Sequence, residues 1–154
     1  MGNSKENEAI GVKKRGTIKQ TDEEWKKQLE PEAYYVLRHK GTERPFVNNK
    51  YYAHKEKGKY YCAGCGNLLF TSDKKFDSGT GWPSYYDVYS DESITTKTDK
   101  SLGMERTEVL CARCEGHLGH VFDDGPKPTG KRYCINSAAM DFKRDEQKEK
   151  DKGE

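Results

Sequence analysis

The chain has 154 residues, of which 35% are charged and 32% hydrophobic, with a formal net charge of +2. That length suits one domain of modest core, and so small a charge argues against nucleic-acid or anionic-membrane partners. No stretch reaches the ~20 apolar residues that span a bilayer, and residues 1–14 lack the apolar run of a signal peptide.

Gly2 invites a myristoylation test, but that motif wants Ser or Thr where this chain has Glu6. A cytoplasmic, monomeric protein with reduced thiols is expected. Residues 1–18 are polar and of mixed charge, and are expected to be disordered. Thr21, followed three residues later by Glu24, is a capping box, and Trp25 and Leu29 lie four apart behind it. The spacing predicts a helix over 22–29. Pro31 opens a second, with Ala33, Tyr34 and Leu37 on one face and Gly41 as its stop. His39 sits where a helix end favours a cation, and a surface position is expected for it and for His54.

Beyond Pro45 the helical period vanishes. Short β-type runs follow at 60–61, 67–70, 94–98, 102–106, 109–110, 119–122 and 132–135, separated by Gly, Pro and Asp. They predict a mainly β, antiparallel domain over 19–142 with two short helices ahead of it. Residues 143–154 are almost wholly charged and are expected to be a solvated tail.

Four of the five cysteines fall into two C-x-x-C pairs, Cys62/Cys65 and Cys111/Cys114. Each pair follows apolar residues and has glycine close behind its second cysteine. Such turns aim two sulfurs at one point, and four thiolates suit a closed, tetrahedral, structural zinc site. Iron also fits four thiolates. The pairs are further apart than in a simple zinc ribbon, so the metal is expected to clip distant parts of the domain together.

Cys134 is left over. It lies in Arg132-Tyr133-Cys134-Ile135-Asn136, a strand-like run that places a fixed cation and an amide on the sulfur's side. A spare thiol beside a cation is the setting of a thiolate nucleophile. His117, His120, Asp123 and Asp124 lie just upstream, and Trp82 sits on a glycine-rich loop at 79–84. Each alone has a structural reading: a hydrogen-bonded histidine, a turn aspartate, a packed indole, an inert buried cysteine. Together they describe a thiol site with acids, donors and an aromatic wall.

The stretches 79–84, 117–124 and 132–138, with both cysteine knuckles, resemble the B-type peptide-methionine (R)-S-oxide reductases, and the likeness runs from about Thr21 to Phe142. The resemblance implies two antiparallel sheets, with zinc remote from the reaction. It implies that Cys134 attacks a sulfoxide sulfur and becomes a sulfenic acid, with His117 and His120 near the oxygen and one of them supplying a proton. It further implies that Asp124 and Asn136 orient that network, that Arg132 favours the thiolate, and that Trp82 holds the S-methyl group. The expected substrates are free or protein-bound methionine R-sulfoxides.

Many members of that family carry a resolving cysteine where this chain has Thr80. Reduction of the sulfenic acid by an external thiol, such as thioredoxin, is therefore expected. The alternative is a non-enzymatic zinc-ribbon-like module that binds nucleic acid or a protein. Such a module needs basic–aromatic clustering on one face, whereas Lys and Arg here are interspersed with Asp and Glu.

Overall fold

The computed structural model describes residue 18, residues 20–46 and residues 50–145. Residues 1–17 and 146–154, which hold nearly all of the two expected tails, lie outside the described residues.

The capping box forms as read. Glu24 N–H donates to Thr21 Oγ1 (3.1 Å) and Thr21 N–H donates to Glu24 Oε1 (2.8 Å), which starts α1 (Asp22–Gln28). Such a cap is worth about 1 kcal/mol. Trp25, on its inner face, is buried. Helix α2 (Pro31–His39) begins at its proline and is stopped by Lys40, not Gly41, in the left-handed conformation (φ 54°). It buries Ala33, Val36 and Leu37. Tyr34 packs half-buried at the edge of that core, and its hydroxyl donates to Asp22 Oδ2 (2.6 Å).

Nine strands follow among the described residues: β1 (Gly58–Cys62), β2 (Leu68–Thr71), β3 (Lys75–Phe76), β4 (Ser84–Tyr85), β5 (Ile94–Asp99), β6 (Arg106–Cys111), β7 (His117–Phe122), β8 (Arg132–Ile135) and β9 (Met140–Arg144). They form two antiparallel sheets, ordered β2-β1-β9 and β3-β4-β8-β7-β6-β5. The core takes Tyr60, Leu69, Phe70 and Met140 from the smaller sheet and Tyr85, Val109, Leu118 and Ile135 from the larger. Phe70 stacks on Tyr85 across the two, with ring centroids 4.3 Å apart and planes 15° from parallel.

Three expectations are corrected. Residues 102–106 are not a strand: Ser101–Gly103 is a one-turn 3-10 segment at the β5–β6 hairpin tip, with Leu102 left-handed (φ 58°) and β6 starting at Arg106. Gly103 also has positive φ (70°), so the chain reverses where an apolar residue suggested pleating. His54 is not a free surface residue. Its Nδ1 meets the Tyr60 hydroxyl at 2.9 Å, and the rings of Tyr51, Tyr60 and Phe142 surround it. The charged run after Phe142 also continues β9, as Lys143 and Arg144 pair with Lys59 and Gly58.

Phe70→Ala removes the cross-sheet stack and leaves a cavity between the layers. Urea unfolding should show a loss of about 3–5 kcal/mol. A loss under about 1 kcal/mol would mean that the layers do not meet through this pair.

Candidate active site and metal centre

The two knuckles are built alike. Gly66 N–H donates to the Cys62 carbonyl and Cys62 N–H to the Asn67 carbonyl. Glu115 N–H donates to the Cys111 carbonyl and Cys111 N–H to the Gly116 carbonyl. Both turns need a left-handed residue after the second cysteine, supplied by Gly66 (φ 81°) and Glu115 (φ 63°). The four Sγ atoms lie within 4.8 Å of one another, with Cys62–Cys114 at 3.7 Å and Cys65–Cys111 at 3.6 Å. A tetrahedral ion with Zn–S bonds of ~2.3 Å holds its sulfurs about 3.8 Å apart, so the donor set fits such an ion. Cys62 ends β1 and Cys111 ends β6, so the cluster joins the two sheets.

Cys134 is separate from that cluster. It lines a cleft of about 320 Å³ with Thr42, Thr80, Trp82, His120, Arg132 and Asn136 among its walls. The register explains why these residues meet: His120 on β7 and Ser84 on β4 are both direct partners of Cys134 on β8. A register shift between Val109 and Leu110 marks a bulge in the β6–β7 pairing. His117 and His120 thereby come to lie with ring centroids 5.5 Å apart. Arg106, at the start of β6, also lines the cleft. Cys111 lies five residues along the same strand, about 16 Å away at ~3.3 Å per residue, so the metal centre and the cleft occupy opposite ends.

Five of the seven residues singled out for the thiol site, Cys134, His120, Arg132, Asn136 and Trp82, therefore line one space, and Asp124 reaches it only through Arg132. His117 is buried outside the cleft lining, and its Nδ1 is 2.7 Å from Glu108 Oε2. Burial lowers its pKa, against the pull of Glu108. Asp124 does not orient the histidines. It is the fork partner of Arg132, with Oδ1 and Oδ2 accepting from Nε (2.8 Å) and Nη2 (3.1 Å). The Arg132 guanidinium in turn lies 4.5 Å from the Phe122 ring centroid.

Three carboxylates do work that the sequence did not point to. Asp99 accepts from His120 Nε2 (2.8 Å) and from Lys40 Nζ (3.1 Å), and Arg106 Nη2 lies 3.5 Å away. Its pKa is held well below the carboxylate range, chiefly by the His120 bond. Glu108 is the partner of His117. Glu43, 5% exposed, ties the cleft to the loop after α2. Its backbone N–H donates to Asn136 Oδ1 (2.9 Å), its carbonyl accepts from Trp82 Nε1 (3.0 Å), and its carboxylate accepts from the backbone N–H groups of Ser137 and Ala138. Alternation along β5 and β6 was the available signal for Asp99 and Glu108, but a charged residue on a strand reads as solvent-facing until its partner is seen.

Burial pushes the Cys134 thiol up to about 11, against the pull of Arg132 and a hydrogen bond from Thr80. The charge of Arg132 is thus outweighed by desolvation in the resting protein.

A sheet pair clipped by four cysteines, with a fifth cysteine in a separate cleft, defines a class, and the chain belongs to it: residues 29–144 match the SelR domain family. Among its relatives, the peptide methionine sulfoxide reductase MsrB of Methanosarcina barkeri is 62% identical over 130 residues, covering 84% of this chain and 91% of the relative. The protein of that name from Leptospira interrogans is 54% identical over 128 residues (83% and 97%). The chloroplastic peptide methionine sulfoxide reductase B1 of Oryza sativa is 58% identical over 125 residues (80% and 58%). Among the described residues no helix is long and apolar enough to cross a membrane.

Cys62→Ser should release a bound metal to a chromogenic chelator and lower the unfolding temperature, because metal binding at such a site is folding free energy. Full metal retention with unchanged unfolding would contradict the assignment. Asp99 stabilises fully above its unfolded-state pKa of about 4, and that contribution is lost as pH falls toward its depressed folded-state value. Asp99→Asn should therefore cost about 3 kcal/mol in urea unfolding at neutral pH. The gap from the parent should narrow only below about pH 4, and a gap constant into stronger acid would refute the ion-pair account.

Proposed function

We propose that this protein reduces the R epimer of methionine sulfoxide, free or in proteins, to methionine, with Cys134 as nucleophile. The observation that carries this reading is the convergence of Cys134, His120, Arg132, Asn136 and Trp82 on one cleft, with the remaining thiols gathered elsewhere. The family supports it, since its curated relatives carry the name peptide methionine sulfoxide reductase.

The Cys134 sulfur forms a bond to the sulfoxide sulfur as the S=O oxygen takes up a proton. The oxygen then passes to Cys134, the sulfide leaves as methionine, and the cysteine becomes a sulfenic acid. Thiol plus sulfoxide gives sulfenic acid plus sulfide, so no proton is consumed overall. His120 is the better placed of the two histidines to handle the proton in transit. Its Nε2 is committed to Asp99, which leaves Nδ1 for the substrate oxygen. His117, buried against Glu108, supports the ring of His120 from behind.

Trp82 offers its indole face to the S-methyl group in a van der Waals contact. Its Nε1 bond to the Glu43 carbonyl fixes the ring's orientation. Asn136 is held at Oδ1 by Glu43 N–H, and its Nδ2 donates to the Leu118 carbonyl (2.9 Å), which fixes the lower wall. Arg132, oriented by Asp124, stabilises negative charge on sulfur. Cys62, Cys65, Cys111 and Cys114 hold a structural Zn²⁺ that supplies stability to the sheet pair. Among the described residues every other cysteine belongs to that cluster, so two equivalents of an external thiol, such as thioredoxin, return Cys134 to the thiol with release of water.

Separated R and S epimers of an N-blocked methionine sulfoxide, with dithiothreitol as reductant, test this reading. Turnover of the R epimer alone is expected, abolished by Cys134→Ser with metal content unchanged. Equal turnover of both epimers, or metal loss in that variant, contradicts it. After a single turnover without reductant, mass analysis should find oxidised Cys134 and no disulfide to another cysteine of the chain.

A further inference from the structure

Thr80 lies on the loop between β3 and β4 and lines the cleft with Cys134. Its hydroxyl belongs to a chain of three. Ser78 Oγ is 2.8 Å from Thr80 Oγ1 and 2.7 Å from Ser84 Oγ. Ser84 is buried, is the cross-strand partner of Cys134, and donates to the Trp82 carbonyl (3.1 Å). Backbone N–H groups hold the chain in place: Trp82 N–H donates to Thr80 Oγ1 (3.4 Å) and Thr80 N–H donates to Ser78 Oγ (3.3 Å).

A hydroxyl has one hydrogen and two acceptor positions, so the ends of such a chain set its direction. One end is the Trp82 carbonyl, which only accepts. At the other, the Thr80 hydroxyl, also 3.5 Å from the Trp82 carbonyl, shares the cleft with the Cys134 sulfur, which donates as a thiol and only accepts as a thiolate. With the thiol, the hydrogens run from sulfur to Thr80, to Ser78, to Ser84 and to the carbonyl, and each has an acceptor. With the thiolate the order reverses, and Thr80 points its hydrogen at sulfur. We propose that Ser84, Ser78 and Thr80 form a reversible hydroxyl relay that turns the Thr80 hydrogen onto the Cys134 sulfur as it ionises, and so sets the fraction of reactive thiolate.

No proton is transferred along the relay; three O–H bonds rotate. The relay opposes the desolvation that burial imposes on the sulfur, and it does so only in the charged state. The charged groups that face the sulfur or share its cleft are Arg132 on its own strand, His120 on β7, Arg106 on β6, Glu43 after α2 and Asp124 in the β7–β8 loop. None of them belongs to the relay, so the hydroxyls can be altered with all five in place.

The inference rests on the preceding reading only in taking Cys134 as the reactive sulfur, and it is read without any sulfoxide. Intact, metal-loaded protein is alkylated with iodoacetamide across a pH series, and modification at Cys134 is followed by mass. Thr80→Val, which keeps the shape and loses the donor, should move the midpoint of the profile up and slow alkylation at neutral pH about tenfold, the scale of one hydrogen bond to a charged group. Thr80→Ser should restore the parent profile. Ser78→Ala, which breaks the relay one link further back, should slow alkylation roughly two- to threefold through lost polarisation of the chain. A Thr80→Val profile superimposable on the parent's overturns the relay. Should that variant lose its metal or unfold, an unshifted Ser78→Ala profile overturns it instead.

Discussion

The register of β8 against its two neighbours is the constraint on which the site depends. Cys134 faces His120 on one side and Ser84 on the other, and the strand's period of two puts Arg132 and Asn136 on the same face. A slip of one residue would send all three into the core and bring Tyr133 and Ile135 out. Ile135, fully buried, opposes the slip by hydrophobic burial. Gly119 opposes any looser pairing, because β7 passes so near β8 that a Cβ there would lie 2.1 Å from the Cys134 carbonyl oxygen. Core packing and the shape of the cleft are thus specified by alternate residues along a single short strand.

The molecule separates the four-cysteine cluster from the cleft that Cys134 lines. At one end of β6 four cysteines tie the small sheet to the large one. At the other end Arg106 begins an ionic lattice through Asp99 and Lys40 that ends on His120. Glu43 links this end to the helices, since it grips the indole, the amide and the backbone just beyond Cys134 from one position after α2. Burial raises the pKa of Glu43, and the backbone N–H groups of Ser137 and Ala138 counter that by bonding to its charged form. The thiol site is therefore framed by fixed dipoles and paired charges, so little reorientation is required when charge moves onto sulfur or oxygen.

Much of this was legible in the residues. The capping box, the proline start of α2, the two knuckles and the spare cysteine are local signals, and each depends on chemistry within a few positions. What was not legible depended on partners far away in sequence. Asp99, Glu108 and Glu43 look like ordinary surface acids until folding brings His120, His117 and Ser137 to them. The family resemblance assigned Asp124 to the histidines' network, yet the hairpin turns it toward Arg132. The two-residue strands β3 and β4 have no period to read, and the hairpin tip at Leu102 disguised a reversal as a strand. The balance at Cys134 was also hidden: a neighbouring cation is visible in the sequence, whereas the depth of burial that outweighs it is not.

The small sheet has a consequence for how the protein comes into being. Its central strand, β1, is flanked by β2, which is made soon after it, and by β9, which follows every other described strand. The grip of Glu43 on Ser137 and Ala138 likewise joins positions 94 and 95 residues apart. As a ribosome releases the chain in order, β1 keeps one unpaired edge, and the glutamate waits without its clients, until Arg144 has emerged. Contacts of such long span close late. The six-stranded sheet and the knuckles can gather while synthesis continues, but the cleft around Cys134 is sealed only after translation of the domain is complete.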